Sequence, residues 1–273
     1  MKKLLLLFWV SLFILKIQAQ TAKDWVAKGD TTTNPDLQIK YYSEAIKRDT
    51  NLVIAYIKRG KVKNSLNHPF KAINDYTKAI CLQFDNVEAY YQIGLSYMSF
   101  DDTKDALKMF NKAIQLDSQY IPTYAARGDV KFKQKKYQES LDDYNKAIEL
   151  DPNNNNFYKG RAKTKIELKQ LEAALEDYNE ALWLNPNDGE SYTGRGAVQL
   201  KLNHKQEAIK DYSNAIELLT DEDDLRRAYY QRGITYESLG ELQTAIKDFE
   251  QAIDIYILYK DARTHLKACK AIT

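Results

Sequence analysis

Five arginines and five aspartates keep a fixed separation of 16 residues along this chain: Arg59 and Asp75, Arg127 and Asp143, Arg161 and Asp177, Arg195 and Asp211, Arg232 and Asp248. A guanidinium fork binds a carboxylate through two parallel hydrogen bonds, so the pattern predicts partly buried ion pairs. One place in the series lacks both charges and carries Ile93 and Met109 instead. Paired replacement points to a structural contact. Arginines that bound an anionic ligand would not need the aspartates to vanish with them.

The other reactive side chains do not converge. Of the three histidines, His68 and His204 fall in turns far apart in the chain, and no Ser or Cys nucleophile stands at a recognisable spacing from them or from His265. The acidic runs Asp101–Asp102 and Asp221–Asp224 are expected to be solvated loops or turns, without the alternation of a calcium loop. There is no Gly-rich phosphate loop. No enzyme activity, cofactor or metal is therefore expected. With 40 basic against 38 acidic residues, nothing points to nucleic acid as a partner.

What positions the ion pairs is a repeat. Tyr56, Tyr90, Tyr124, Tyr158, Tyr192 and Tyr229 are each followed four residues later by Gly or Ala, and the unit returns every 34 residues, with three extra residues before the last copy. Counting Val53, Val87, Ile121, Asn155, Gly189 and Arg226 as place 1, Tyr stands at place 4 and small residues at 8, 20 and 27. An aromatic residue stands at 24: Tyr76, Phe110, Tyr144, Tyr178, Tyr212 and Phe249. Apolar residues at three- and four-residue spacing give two helices per unit. The small residues let the two backbones approach, and the aromatics fill the space around them.

This arrangement resembles the tetratricopeptide repeat family, whose pattern has an aromatic at 4, small residues at 8, 20 and 27, an aromatic at 24 and often Pro at 32. Pro152 and Pro186 match the last place, whereas Phe84, Ser118, Thr220 and Ile257 depart from it. The expected fold is all-α: an α-solenoid of antiparallel helix pairs, wound as a right-handed superhelix with a C-terminal capping helix. Six repeats are expected at 53–86, 87–120, 121–154, 155–188, 189–225 and 226–257. A degenerate repeat at 20–52 precedes them, with Asn34–Pro35 opening its second helix, and a cap at 258–273 follows.

The resemblance implies a concave wall made by the first helix of each unit. The expected groove residues are Ile57, Lys58, Lys61, Tyr91, Gln92, Leu95, Met98, Lys159, Lys163, Tyr230 and Gln231. Tyr90 and Tyr229 are expected in the core, with Tyr91 and Tyr230 beside them projecting into the groove as flat anchors. Such a wall suits a peptide or helix of another protein. Lys159 is accompanied by Lys163 rather than by the Asn of the family's carboxylate clamp, so that clamp is not expected. The alternative is a carbohydrate- or cell-wall-binding accessory protein whose groove aromatics stack on sugar rings.

Lys2 and Lys3, the apolar run Leu4 to Leu15 and a small residue at Ala19 have the layout of an export signal spanning residues 1–19. A periplasmic or secreted protein of a bacterial envelope is expected, with no integral membrane span once the signal is cleaved. Cys81 and Cys269 lie about five repeats apart, which at about 10 Å per helix is far beyond the reach of a disulfide. Cys81 is expected as a buried or half-buried thiol.

Overall fold

In the computed structural model, residues 21–256 and 259–272 are described, and among them every regular element is an α-helix. The signal read at 1–19 lies outside the described residues. So does Ile257. Two compact units divide the chain, the first ending at Thr123 and the second beginning at Tyr124, inside the helix Ile121–Lys133.

Each unit is a stack of antiparallel helix pairs. In the first, Ala22–Thr31 pairs with Pro35–Arg48, Val53–Ser65 with Pro69–Leu82, and Val87–Met98 with Thr103–Leu116. In the second, the pairs are Asn155–Glu167 with Leu171–Leu184, Gly189–Lys201 with Lys205–Leu218, and Glu222–Glu237 with Leu242–Ile255. Tyr137–Leu150 packs on Asn155–Glu167, and Lys260–Ile272 closes the series against Leu242–Ile255. First helices also touch one another, Val53–Ser65 with Val87–Met98 and Gly189–Lys201 with both Asn155–Glu167 and Glu222–Glu237. Within each unit they form a common face.

Local chemistry sets the helix ends. Asn34, Asn86, Asp102 and Asp188 accept a backbone N–H of the first turn they precede, which satisfies a donor that has no intrahelical partner. Pro35 and Pro69 open second helices, where the missing N–H costs nothing. Every turn within a full repeat places residue 15 in the left-handed region: Asn67, Asp101, Lys135, Lys169 and Asn203 have φ of 59° to 65°, and Gly240 has 80°. The next N–H then bonds back across the turn, as from Gln170 to the Lys165 carbonyl at 2.9 Å.

The place-24 aromatics are the core. All six are 3% exposed or less. The small residue at place 8 exists for them: a Cβ on Gly60 would sit 2.5 Å from Tyr76 Cε1. Gly29 stands in the same relation to Tyr42, so the degenerate first repeat is a full helical hairpin with a shortened turn. At the far end Ala262 and Cys269 are buried and Leu266 half-buried against Phe249 and its neighbours, so this helix covers an apolar face as expected of a cap.

Three expectations need correction. The acidic run near 221 is not a loop: Asp221 caps a helix, and Glu222, Asp223 and Asp224 form its first turn, where negative charge meets the positive end of the helix dipole. The extra residues thus lengthen this first helix to 16 residues. Cys81 is exposed, because place 29 lies on the outward side of its helix. Tyr90 and Tyr229 are only half-buried; Tyr229 packs against the cluster around Phe249 with the guanidinium of Arg232 5.6 Å from its ring centre.

Candidate functional site

The ion pairs form as the spacing required. In all five units Nε donates to one carboxylate oxygen at 2.8–3.0 Å and Nη2 to the other at 2.5–2.7 Å. The aspartates are buried and the arginines half-buried, linking the two helices of one unit. The third guanidinium nitrogen reaches the preceding unit: Arg59 donates to Ser43, Arg161 to Asn145, Arg195 to Asn179 and Arg232 to Ser213. Each of these arginines therefore ties three helices together. Lys63, Lys131 and Lys165 add a second cation to Asp75, Asp143 and Asp177. Where Ile93 and Met109 replace the pair, Ile93 packs with Ala72 and Tyr76 in an apolar cluster. These residues are framework.

The face of the first helices is different. Ile57, expected there, is 2% exposed and packs with Tyr56, Ala79 and Ala89, so it offers nothing to a ligand. Lys58 pairs with Asp30 at 2.8 Å and Lys61 with Glu88, each bond crossing between adjacent first helices. Tyr91 is half-buried, its ring 5.9 Å from Phe110 and edge-on to Tyr120 at 5.5 Å. Tyr230 is half-buried likewise, against Phe249, Tyr259 and His265. Gln92, Leu95, Met98 and Gln231 are half-buried beside them. The two tyrosines are thus held by their own repeats and present only an edge.

Two concavities on the second unit are lined mainly by first-helix residues. One, of about 290 Å³, is lined by Ala125, Asp129, Tyr144, Asn156, Lys159 and Lys163 among others. Another, of about 190 Å³, is lined by Lys163, Glu190, Thr193, Gly194, Asp224 and Arg227. Lys163 belongs to both. Lys159 bridges Asp188 at 3.2 Å and Glu190 at 3.1 Å; burial works against its charge, but the two carboxylates outweigh it and raise its pKa. The Tyr144 hydroxyl donates to Asp129. Asp129 keeps solvent-accessible area, yet the crowding of the concavity strips water from its carboxyl and raises its pKa, against the opposing pull of Tyr144 and Lys163.

Sequence reading found Lys159 and Lys163 but missed Asp129, Tyr144, Thr193 and Arg227 as lining residues. The signal for the first two was the step from Asp129 to Lys163 at place 9 and from Ala126 to Gly160 at place 6 between neighbouring repeats. Gly160 and Gly194 stand at place 6, and a Cβ on either would collide with the phenol of the preceding unit, Tyr144 or Tyr178, at 2.3–2.4 Å. Among the described residues no cluster of three or more His, Cys, Asp or Glu side chains suits a metal, and no helix is long and apolar enough to cross a membrane.

A constant frame of hairpins with a variable face defines a helical repeat protein. Family profiles for the tetratricopeptide repeat match residues 87–120, 121–154 and 227–256, and a TPR repeat profile matches 162–203. The chain belongs to the tetratricopeptide repeat family. It is similar to the crystal structure of YrrB, described as a TPR protein with an unusual peptide-binding site, at 25% identity and TM-score 0.57, over 70% of this chain and 97% of that one. It shares its fold with pilF of Pseudomonas aeruginosa (17% identity, TM-score 0.70, 83% of this chain and all of that one). The same holds for a tetratricopeptide repeat protein from Parabacteroides merdae (17% identity, TM-score 0.65, 91% of this chain and 96% of that one). No curated protein matches the sequence.

Proposed function

We propose that this protein is a non-catalytic protein–protein interaction scaffold of the cell envelope, binding a peptide or helical segment of a partner on the face of its first helices. One observation carries the reading. Places 7 and 23 repeat one ion pair in five units, while places 5, 6 and 9 on the first helices change from unit to unit. A fixed frame with a varied surface is what selective recognition needs, and pre-formed shape lowers the ordering cost of binding. The likeness to YrrB, a peptide-binding protein of the same family, supports the same reading.

Export rests on the leader at residues 1–19. Protein purified from its host is expected to begin at Gln20, and an intact Met1 on the mature form contradicts export with cleavage. A photo-crosslinking side chain at Gln92 or Thr193 is expected to capture a protein partner in intact cells. The exposed Phe84 and Trp183 serve as outer-side controls. Capture from the control positions alone overturns the assignment of the binding face.

A further inference from the structure

We infer that the 155–188 repeat carries a carboxylate-binding site, built from the ammonium of Lys163 and the hydroxyl of Tyr178, for an acidic side chain within an extended peptide. The inference rests on the scaffold reading above and names what one stretch of its face recognises.

Places 9 and 24 of a repeat are partners. In the first repeat the Tyr42 hydroxyl donates to Asp30 at 2.8 Å, and in the 121–154 repeat Tyr144 donates to Asp129. Where place 9 is not acidic the phenol loses its acceptor: Tyr76, paired in sequence with Lys61, and Tyr212, paired with Ala197, have hydroxyls sealed from solvent without a hydrogen bond. Lys61 is itself neutralised by Glu88 of the next first helix. That repeat is closed.

The 155–188 repeat has the same exchange and a different outcome. Lys163 stands at place 9 and Tyr178 at place 24, so two donors replace the donor and acceptor of the preceding repeat. Glu190, the counterpart of Glu88, is drawn instead to Lys159 at 3.1 Å, and Asp224 is engaged by Arg227 at 3.4 Å. Among the described residues Lys163 has no acid within ion-pair distance, and the Tyr178 hydroxyl has no hydrogen-bond partner. Tyr178 is 1% exposed, and its hydroxyl lies 2.5 Å from where a Gly194 side chain would begin. The phenol tip therefore stands at the glycine that lines the smaller concavity.

A ligand carboxylate supplies what this repeat lacks: one acceptor for the phenol and one countercharge in contact with the ammonium, which Asp129 reaches only beyond ion-pair distance. Lys163 is shared by concavities on both sides of it, so a bound chain continues in both directions. That geometry favours an internal Asp or Glu over a chain terminus.

The test uses three fluorescent heptapeptide pools of otherwise random sequence and the full chain. The first has Glu fixed at the centre with both ends blocked, the second Gln at the centre with both ends blocked, and the third Gln at the centre with a free C-terminal carboxylate. The Glu pool is expected to bind about tenfold tighter than the blocked Gln pool. Lys163→Gln should abolish that preference, and Tyr178→Phe should weaken Glu-pool binding about fivefold while both variants keep the parent melting temperature within a few degrees. Lys61→Gln, on the closed repeat, should leave the preference intact. Equal binding of the blocked pools, a preference that survives Lys163→Gln, or tighter binding of the free-terminus pool overturns this site and leaves the scaffold reading standing. No binding of any pool overturns both.

Discussion

The guanidinium of Arg161 holds the carboxylate of Asp177 at both ends, 3.0 Å from Nε to Oδ2 and 2.7 Å from Nη2 to Oδ1, and its remaining nitrogen reaches Asn145 of the repeat before. Four more units repeat the two-ended grip. With Asp177 buried, the stability of each hairpin depends on both partners being present. Lys165 also reaches Asp177 at 2.8 Å, whereas Asp211 has Arg195 as its one cation among the described residues.

A double-mutant cycle measures that dependence. In the 189–225 repeat, where no lysine reaches the aspartate among the described residues, Arg195→Ile leaves the buried Asp211 without a cation and is expected to cost about 3 kcal/mol, and Asp211→Met, which leaves a half-buried arginine, somewhat less. The double variant should cost less than their sum by at least about 1 kcal/mol. The Ile93 and Met109 repeat shows that this chain already tolerates an apolar pair there. Simple additivity in chemical denaturation contradicts the coupling.

The place-24 hydroxyls separate by partner. Tyr144→Phe removes the donor to Asp129 and is expected to destabilise by about 1 kcal/mol. Tyr212→Phe removes a hydroxyl that is buried without a partner, so it should be neutral or stabilising by up to about 1 kcal/mol. Melting temperatures of the two variants decide it; a loss at Tyr212 equal to that at Tyr144 contradicts the account.

Lys169 takes φ of 63°, which strains a side chain with a Cβ. Lys169→Gly is expected to stabilise by about 1 kcal/mol, and Asn203→Gly by much less, since Asn tolerates this region. Equilibrium unfolding of both variants checks the ranking.

Asp188 caps the helix Gly189–Lys201, accepting from Ser191 and pairing with Lys159. Burial tends to raise its pKa, but these partners outweigh burial and hold it below the ordinary aspartate value of 3.8. A depressed folded-state pKa adds stability that is present above 3.8 and lost as pH falls through the folded value. Asp188→Asn keeps a capping side chain and removes the charge. The gap in stability between parent and variant should therefore be clear at pH 7 and close in stronger acid; a constant gap contradicts the linkage.

Much of this was legible from the sequence because repetition averages out local noise. The helix pairs, the ion pairs and the terminal cap all follow from side-chain types at fixed places. The turn geometry at place 15 was not legible, since Asn, Asp, Lys and Gly share a backbone state rather than a side-chain chemistry. Ile57 was misplaced because a helix position facing a groove in one repeat faces packed neighbours in another. The Tyr144 and Asp129 bond was hidden for a different reason. Place 9 changes from Asp to Lys to Ala, and only the folded chain shows which phenol each one meets.

The central claim is that the first helices carry recognition and the second helices carry the frame. Backbone amide chemical shifts of the full chain, followed as the Glu-centred peptide pool is added, test it most directly. The account predicts shifts concentrated on residues 125–133, 156–163 and 190–194 of the first helices, with Lys163 and Gly194 among the largest. Shifts concentrated instead around the exposed Cys81 and Trp183 on second helices would contradict it.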